Sequence, residues 1–395
     1  MQLRSLRKIK NLPGQRVLVR LDFNVALRAG RIPPTEYHRI KAALPTLKWL
    51  KRRGARIIVM THLGRPGGKR VKGFSTQPLA RLLAQFLKTR VGFVSDLLGS
   101  AALQSAQKMK DGEIIFLENL RFYPGEEKND PRFARRLARL ADVFVNDAFS
   151  VSHRSHASVV GVARLLSAFA GFLLKKEIDN LSKILEHPKR PLMVVMAGAK
   201  VSTKLPVMKH LLSVADLVLA GGGLANTIWK AQGYGVGASM IDQPSLRQAK
   251  IMGKNRKLIL PMDVKVFGKK KTRIVGLPSE PSTICQKSEK ILDAGPATVH
   301  HFIRHLKKAG TAVWNGPLGR VEDQRFAQGT RQLAIFLARH ARGRAFVAVG
   351  GGDTVPFLST LPGFSSFDFV SLGGAAMLEY LSGKSLPGLK PLLIA

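Results

Sequence analysis

Nine short apolar runs, rich in β-branched residues, recur along the chain, and each stops abruptly at glycine, asparagine, aspartate or a basic residue. Continuous apolar runs of this length, separated by longer segments of helical periodicity, are typical of buried parallel strands. With the polar residues that follow each run, the nine segments are 16–24, 56–65, 113–122, 142–154, 192–204, 216–226, 311–317, 345–353 and 367–376. The pattern predicts an α/β fold with helices on both faces of mainly parallel sheets.

The segments between the runs have helical periodicity. They are 40–53, 78–88, 132–141, 159–167, 204–213, 224–232, 297–309, 324–341 and 375–382. A longer polar helix is predicted over 172–187, ended by Pro188, and it separates the first four strand ends from the other five. Because 395 residues exceed the usual size of one core, we predict two domains, 1–171 and 188–376, joined by this helix.

Residues capable of chemistry stand at the ends of the predicted strands in both halves. In open α/β sheets the ligand binds just beyond the carboxyl ends of the strands. This placement favours a two-lobed enzyme. Neither a Ser/His/Asp order nor a paired-carboxylate arrangement stands out, so acyl and glycosyl hydrolysis are not supported.

The chain is strongly basic. It has 64 Lys and Arg against 25 Asp and Glu, a formal net charge of +39. Residues 1–186 contain 35 basic and 14 acidic residues, residues 187–395 contain 29 and 11, and residues 1–100 alone contain 22 and 3. Dispersed cations can bind nucleic acid through its phosphates, but no helix-turn-helix, zinc spacing or stacking-aromatic motif accompanies them. A basic surface equally suits an enzyme of phosphorylated anions, with weak non-specific polyanion binding as a side effect.

Glycine clusters at strand ends in the second half are the nucleotide signal. They comprise Gly221–Gly223, Gly350–Gly352 and Gly373–Gly374, and glycine lets backbone N–H groups approach an anion closely. Asp353 and Thr354 follow the second cluster, where they could hold Mg²⁺ and a phosphate or simply cap a helix. Neither the Walker A nor the G-x-G-x-x-G motif is present, which disfavours the P-loop and dinucleotide-binding classes.

Lys200 and Lys204 lie four residues apart just after a predicted strand. At the start of a helix they would share one face and repel the positive end of the helix dipole. That arrangement favours a phosphate ligand over two solvent-exposed lysines.

The first half has mostly basic residues at its predicted strand ends. Asp22 and Asn24 end the first strand, and the later strands end in His62, Arg65, Arg121, His153 and Arg154. Arg39 stands at the start of a helix. Converging arginines suit a ligand that carries a carboxylate and a phosphate. His62, His153 and His156 lack the spacing of a metal site.

Several features bear on location. The single cysteine, Cys285, excludes an internal disulfide. No apolar signal core follows the basic N-terminus before Pro13, and Arg164 interrupts the most apolar stretch, 156–174. We therefore expect a cytoplasmic protein without a membrane span.

The sequence resembles the phosphoglycerate kinases along essentially its full length. The motifs that carry the resemblance occur in the family's order at 19–25, 39–46, 62–66, 117–123, 146–158, 198–204, 314–319, 350–354 and 386–388. The resemblance implies two Rossmann-like three-layer α/β/α lobes facing each other across a hinged cleft. One lobe would bind 3-phosphoglycerate and include a returning segment from about 377 to 395, and the other would bind the nucleotide.

The resemblance also implies an activity and its site residues. The activity would be reversible phosphoryl transfer between 1,3-bisphosphoglycerate and ADP, giving 3-phosphoglycerate and ATP, in line and on lobe closure. It would need Mg²⁺ as Mg-ADP or Mg-ATP, no organic cofactor and only one subunit.

The residues expected to hold phosphoglycerate are Asp22, Phe23, Asn24, Arg39, His62, Leu63, Gly64, Arg65, Arg121 and Arg154. Those expected to border the adenine are Gly198, Ala199, Gly221 and Pro317, with Glu322 at the ribose. The phosphates would meet Lys204, Asn315, Gly351, Gly352, Asp353 and Thr354, with Asp353 on Mg²⁺. Arg39, Lys200 and Lys204 would be catalytic, neutralising the transferring group.

Some positions depart from the family's usual residues. They are Ala26, Ser150, Ala197, Thr203, Leu372 and Ala375. Thr203 bears on metal handling without nucleotide, and Leu372 and Ala375 bear on hinge motion and the late anion site. Because none removes a contact to the transferring group, activity is expected. The alternative is a nucleic-acid-associated protein on this scaffold with weakened catalysis.

Overall fold

The computed structural model describes residues 1–27, 30–97, 99–199 and 201–394. Its chain divides into two compact units. The first comprises Met1–Asp179 with Ser385–Ala395, and the second comprises Asn180–Lys384. The division falls within a helix, Phe172–Glu186, at the position where the sequence predicts a helix over 172–187.

A six-stranded parallel sheet forms the centre of the first unit. Its strands are β1 (Arg16–Arg20), β2 (Arg56–Met60), β3 (Gly92–Val94), β4 (Ile114–Leu117), β5 (Val143–Asn146) and β6 (Ser167–Ala170). They lie in the order β3-β4-β2-β1-β5-β6. The helices are α1 (Tyr37–Arg52), α2 (Gln77–Leu87), α3 (Ser100–Gln107), α4 (Pro124–Glu127), α5 (Pro131–Ala138) and α6 (Phe172–Glu186).

The strands at the centre of this sheet are buried on both faces. Val17, Leu18 and Val19 in β1 have no exposed area, although their side chains alternate between the two faces of the sheet. A strand that alternates polar and apolar residues leaves one face of its sheet exposed to solvent. The continuous apolar run of β1 instead fits a parallel sheet that is covered by helices on both faces.

The second unit contains another six-stranded parallel sheet. Its strands are β7 (Leu192–Met196), β8 (Leu217–Ala220), β10 (Leu258–Ile259), β15 (Thr311–Asn315), β16 (Phe346–Gly350) and β17 (Phe369–Ser371), in the order β10-β8-β7-β15-β16-β17. The helices are α7 (Val201–Val214), α8 (Gly222–Ala231), α9 (Leu246–Met252), α10 (Pro296–Leu306), α11 (Gln328–His340), α12 (Thr354–Leu358) and α13 (Ala375–Leu381).

A smaller region of mostly antiparallel pairing is inserted in this unit. Strands β11 (Asp263–Gly268), β12 (Lys271–Gly276) and β14 (Lys290–Ala294) form a three-stranded sheet, and β9 (Gly235–Val236) pairs with β13 (Thr283–Cys285). Buried apolar side chains from these strands and from α8, including Trp229 and Ile284, form a separate small core.

The predicted fold class is confirmed: both main sheets are parallel α/β sheets. All nine predicted strands are present, as β1, β2, β4, β5, β7, β8, β15, β16 and β17. The helix predicted over 159–167 is present only in part and is irregular: the stretch forms a π-helical turn and a 3₁₀ turn, and β6 begins at Ser167. Val159, Val160 and Val162 are β-branched and disfavour a regular helix.

The last described residues rejoin the first unit. The Arg4 N–H donates to the Leu392 carbonyl at 2.7 Å, and the Gly388 N–H donates to the Ser152 carbonyl at 2.8 Å. Within the described ranges, no helix is both long enough and apolar enough to cross a membrane.

Candidate active site

Asp22 is the centre of the polar cluster beyond β1. Ser150, on the loop after β5, donates a short hydrogen bond to Asp22 Oδ2, and Arg39 Nη1 from α1 lies 3.4 Å from the same oxygen. Burial alone would raise the pKa of Asp22, but the surrounding positive groups, including Arg39, and the hydrogen bond from Ser150 hold it below its ordinary value. Asp22 is therefore ionised at neutral pH.

His62, at the end of β2, is buried and neutral. Burial, reinforced by the charges of Arg20, Arg121 and Arg154, holds the pKa of His62 well below its ordinary value, despite the nearby Asp22. Arg20 Nη2 lies 3.0 Å from His62 Nδ1. Because a guanidinium can only donate, Nδ1 accepts and the ring hydrogen is on Nε2. His62 thus offers an N–H donor without a charge.

Arg20 is the fully buried cation behind this site. Its Nε donates to Ser158 Oγ at 2.9 Å. Ser158 in turn donates its hydroxyl and its backbone N–H to the two oxygens of buried Glu126, at 2.6 and 2.9 Å. Burial raises the pKa of Glu126, and Arg20 and Ser158 oppose that rise. Arg20, Ser158 and Glu126 were not among the predicted site residues, although a basic residue inside the apolar run of β1 was a visible signal in the sequence.

Asn119, which was also not predicted as a site residue, orders the loops that carry the other candidate ligand-binding groups. Its Oδ1 accepts the N–H of Leu63 at 3.1 Å and that of Arg121 at 3.0 Å. Arg121 Nη1 donates to the Gly64 carbonyl at 2.7 Å, and the Gly64 N–H donates to Asn24 Oδ1 at 2.9 Å. These bonds connect the ends of β1, β2 and β4.

The remaining predicted residues of this set occupy different surroundings. Phe23 is buried, its N–H donating to Thr61 Oγ1 at 3.0 Å, and Arg65 is exposed. The Nε–H of Arg154 donates to His153 Nε2 at 3.2 Å. Burial lowers the pKa of Arg121 below its ordinary value, and the positive charge of Arg154 lowers it further. The strand ends therefore gather more positive charge than their carboxylates balance, as an anion-binding site requires.

A cavity of about 730 Å³ lies in the second unit. It is lined by the predicted residues Gly198, Ala199, Pro317, Glu322 and Asp353. Gly221, also predicted there, immediately precedes α8, whose Gly222 and Gly223 line the cavity. Its apolar lining was not predicted from the sequence and includes Trp229, Met240, Val264 and Ile291. Two of these come from the antiparallel insertion, whose role no sequence motif indicated.

A second cavity of about 480 Å³ is lined by Lys204, Asn315 and the segment Gly351–Thr354. Gly198, Pro317 and Asp353 line both cavities. Lys204 is buried, and its Nζ donates to Asn315 Oδ1 at 2.8 Å. Asn315 Nδ2 is buried without a hydrogen-bond partner among the residues described. A buried ammonium beside an unused amide donor is suited to a phosphate.

Asp353 has no capping role. It occupies the N-cap position of α12, but its side chain makes no capping hydrogen bond, and it is exposed toward both cavities. Thr354 accepts the Gly316 N–H at 2.9 Å. The described ranges contain no group of three or more His, Cys, Asp or Glu side chains able to hold a metal. A lone carboxylate beside a phosphate site fits Mg²⁺, which keeps several waters and binds mainly through nucleotide phosphates.

Lys200, one of the predicted catalytic residues, lies outside the described residues. Of the positions that depart from the family, Thr203 and Ala375 line the second cavity, and Ser150 contacts Asp22.

Comparison with known proteins gives a consistent result. The sequence model of the family described as phosphoglycerate kinase matches residues 6–384. The chain is 45% identical to the phosphoglycerate kinase of Moorella thermoacetica over 386 residues, covering 95% of this chain and 96% of that protein. It is 40% identical to the Coprothermobacter proteolyticus enzyme over 402 residues, covering all of both. Among solved structures, phosphoglycerate kinase from Coxiella burnetii is 39% identical, with a TM-score of 0.85 and 99% coverage of both chains.

Proposed function

The chain belongs to the phosphoglycerate kinase family, and we propose that its first unit binds the phosphoglycerate while its second unit binds the nucleotide. The chain is a phosphotransferase of glycolysis: it catalyses reversible phosphoryl transfer between 1,3-bisphosphoglycerate and ADP, giving 3-phosphoglycerate and ATP. Its acceptor in the reverse direction is a carboxyl group. The proposal concerns which unit binds each substrate.

The excess of guanidinium groups at the first sheet's strand ends carries the assignment of phosphoglycerate. Arg39, Arg121 and Arg154 supply the forked donors that carboxylate and phosphate oxygens accept. Neutral His62 adds a donor through Nε2. The other proposed contacts are Asp22, Phe23, Asn24, Leu63, Gly64 and Arg65. Isothermal titration of 3-phosphoglycerate against the full chain and an Arg121→Ala variant tests this placement, and equal affinity would overturn it.

The two cavities of the second unit support the nucleotide assignment. The larger one has the apolar lining that an adenine ring needs, and the smaller one has Lys204 and Asn315 for phosphate oxygens. Glu322 is proposed at the ribose. When bound, Mg²⁺ would neutralise phosphate charge, and Asp353 would hold it. ADP-dependent ATP formation from 1,3-bisphosphoglycerate by the purified chain is the direct test of activity.

The reaction asks for charge neutralisation and positioning rather than proton transfer. The attacking group is an anion in either direction, so no general base is needed. Arg39, Lys200 and Lys204 are the proposed groups that balance the charge of the transferring phosphoryl group. In-line transfer on closure of the lobes, with exclusion of water, belongs to the same proposal.

Location, assembly and surface charge complete the proposal. We propose a cytoplasmic monomer whose formal charge of +39 also binds polyanions weakly and without sequence preference. This binding is a property of the surface and is not a second catalytic function.

Lys204→Ala should lower kcat by about two to three orders of magnitude, because it removes buried positive charge from the transition state. The measurement is a coupled assay in both directions, with circular dichroism to establish folding. Lys209→Ala is the matched control: Lys209 is exposed on the same helix, α7, and its loss should leave kcat unchanged. A folded Lys204→Ala enzyme with near wild-type turnover would contradict the assigned role.

Asp353→Asn should steeply raise the Mg²⁺ concentration needed for half-maximal activity, since a neutral amide is a poorer ligand for a hard cation. Magnesium titrations at fixed total ADP measure the effect. Glu280→Gln removes an exposed carboxylate that lines neither cavity and serves as the control. If the three titration curves coincide, Asp353 does not hold the metal.

Raising the ionic strength to about 0.3 M should raise the KM for 3-phosphoglycerate more than it does in a relative with a net charge near zero. The reason is that salt screens the many exposed positive charges that lie far from the substrate. Weak binding to single-stranded RNA should disappear over the same range. Steady-state kinetics and gel shifts at matched salt concentrations measure both effects. Sequence-selective RNA binding that persists at high salt would instead support the nucleic-acid-associated alternative.

A further inference from the structure

Helix α10 carries a pair of histidines outside the proposed active site. Its start is fixed by Asp263, whose carboxylate oxygens accept the N–H groups of Ala297 and Thr298 at 3.1 and 2.7 Å. The apolar face of the helix, including Val299 and Phe302, is buried. His301 and His305 are both half-buried, one helical turn apart. The backbone that carries the pair is therefore well anchored.

The two imidazoles are already close together. Their ring centroids lie 4.7 Å apart and their planes are nearly perpendicular, at 88°. A separation this short lets one metal bond a nitrogen of each ring through bonds of about 2.1 Å. We propose that His301 and His305 chelate one divalent transition metal of the zinc, nickel or copper type.

The chemistry of the pair selects the class of metal. Imidazole nitrogen suits zinc, nickel and copper, whereas Mg²⁺ and Ca²⁺ prefer oxygen. The remaining positions go to water, because no third His, Cys, Asp or Glu completes a cluster in the described parts of the chain. The site should therefore follow the order Cu²⁺ above Ni²⁺ and Zn²⁺, and these above Co²⁺.

Calorimetric titration of the full chain with Ni²⁺, in a buffer that does not bind metal, tests the pair. His301→Ala and His305→Ala should each weaken the site at least about tenfold, since one imidazole cannot chelate. His300→Ala is the matched control, because His300 is exposed on the same helix and should leave the affinity unchanged. The double variant measures binding by the other histidines. Equal affinity in the wild type and the double variant would overturn the proposal, as would an equal loss with His300→Ala.

A separate observation concerns Ser150, which shares one oxygen of Asp22 with Arg39. The serine hydroxyl makes the short bond to Oδ2, whereas Arg39 Nη1 lies 3.4 Å away, well beyond the 2.7–2.9 Å typical of a charge-assisted bond. Ser150 therefore makes the closer contact with this oxygen, and Arg39 contacts it only loosely. We infer that Ser150 is a positioning residue that keeps the Arg39 guanidinium available to the substrate. This inference depends on the proposed placement of phosphoglycerate.

Ser150→Ala should let Arg39 close on Asp22, and kcat/KM for 3-phosphoglycerate should then fall roughly three- to tenfold while the KM for Mg-ATP stays constant. Ser150→Thr keeps a hydroxyl and should restore the wild-type value. Ser155→Ala, an exposed serine on the same loop, is the control.

Arg39→Ala separates the two possible failures. If Arg39→Ala retains wild-type kcat/KM, the proposed phosphoglycerate site is wrong. If Arg39→Ala is impaired but Ser150→Ala matches the wild type, only the role of Ser150 is wrong. An equal change in the KM for both substrates would indicate a structural effect and also overturn the role of Ser150.

Discussion

Parallel pairing of strands is the constraint on which both candidate sites depend. In a parallel sheet the carboxyl ends of all strands meet at one edge, so residues that follow different strands are brought together by register alone. In the first sheet Arg20 pairs with Met60 and with Asn146, which places Asp22, His62 and the loop carrying Ser150 at one level. In the second sheet Asn315 pairs with Met196 and with Gly350. The candidate phosphate-binding groups therefore follow aligned strand ends.

The same register creates close backbone approaches that only glycine tolerates. Gly316 follows β15 with a φ of 96°, and a Cβ there would collide with the Ala197 carbonyl from the end of β7. Gly351, after β16, has a φ of 115°. L-residues rarely adopt such angles, so these glycines are needed for the backbone path at the strand ends. Gly351 belongs to one of the glycine clusters that gave the nucleotide signal in the sequence, and a Cβ on it would crowd Thr354 Oγ1 and Asn315 Nδ2.

The sequence predicted the strands that lie in long apolar runs and the polar or charged residues that follow them. The nine long apolar runs identified their strands, whereas β3, β6 and β10 were not predicted; β10 has only two residues, and β6 begins at Ser167, within the segment predicted as a helix. The antiparallel insertion was missed because β12 is exposed along most of its length and has no continuous apolar run. At the site, the groups at strand ends were predictable. Asn119 and Glu126 act through buried hydrogen bonds, and only the folded chain shows which residues those bonds join.

The protonation states at the first sheet's edge bear on how the reaction is catalysed. A general acid or base works best with a pKa near the operating pH. The pKa of Asp22 lies below its ordinary value and that of His62 lies well below 6.5, so at pH 7 one is an anion and the other a neutral donor. Neither is suited to exchange a proton at that pH. Burial and the nearby arginines keep His62 neutral, and Arg39, Arg20 and the Ser150 hydroxyl help to keep Asp22 ionised. The arginines also supply net positive charge. An edge built this way is suited to phosphate and carboxylate oxygens, as the proposed binding of phosphoglycerate there requires.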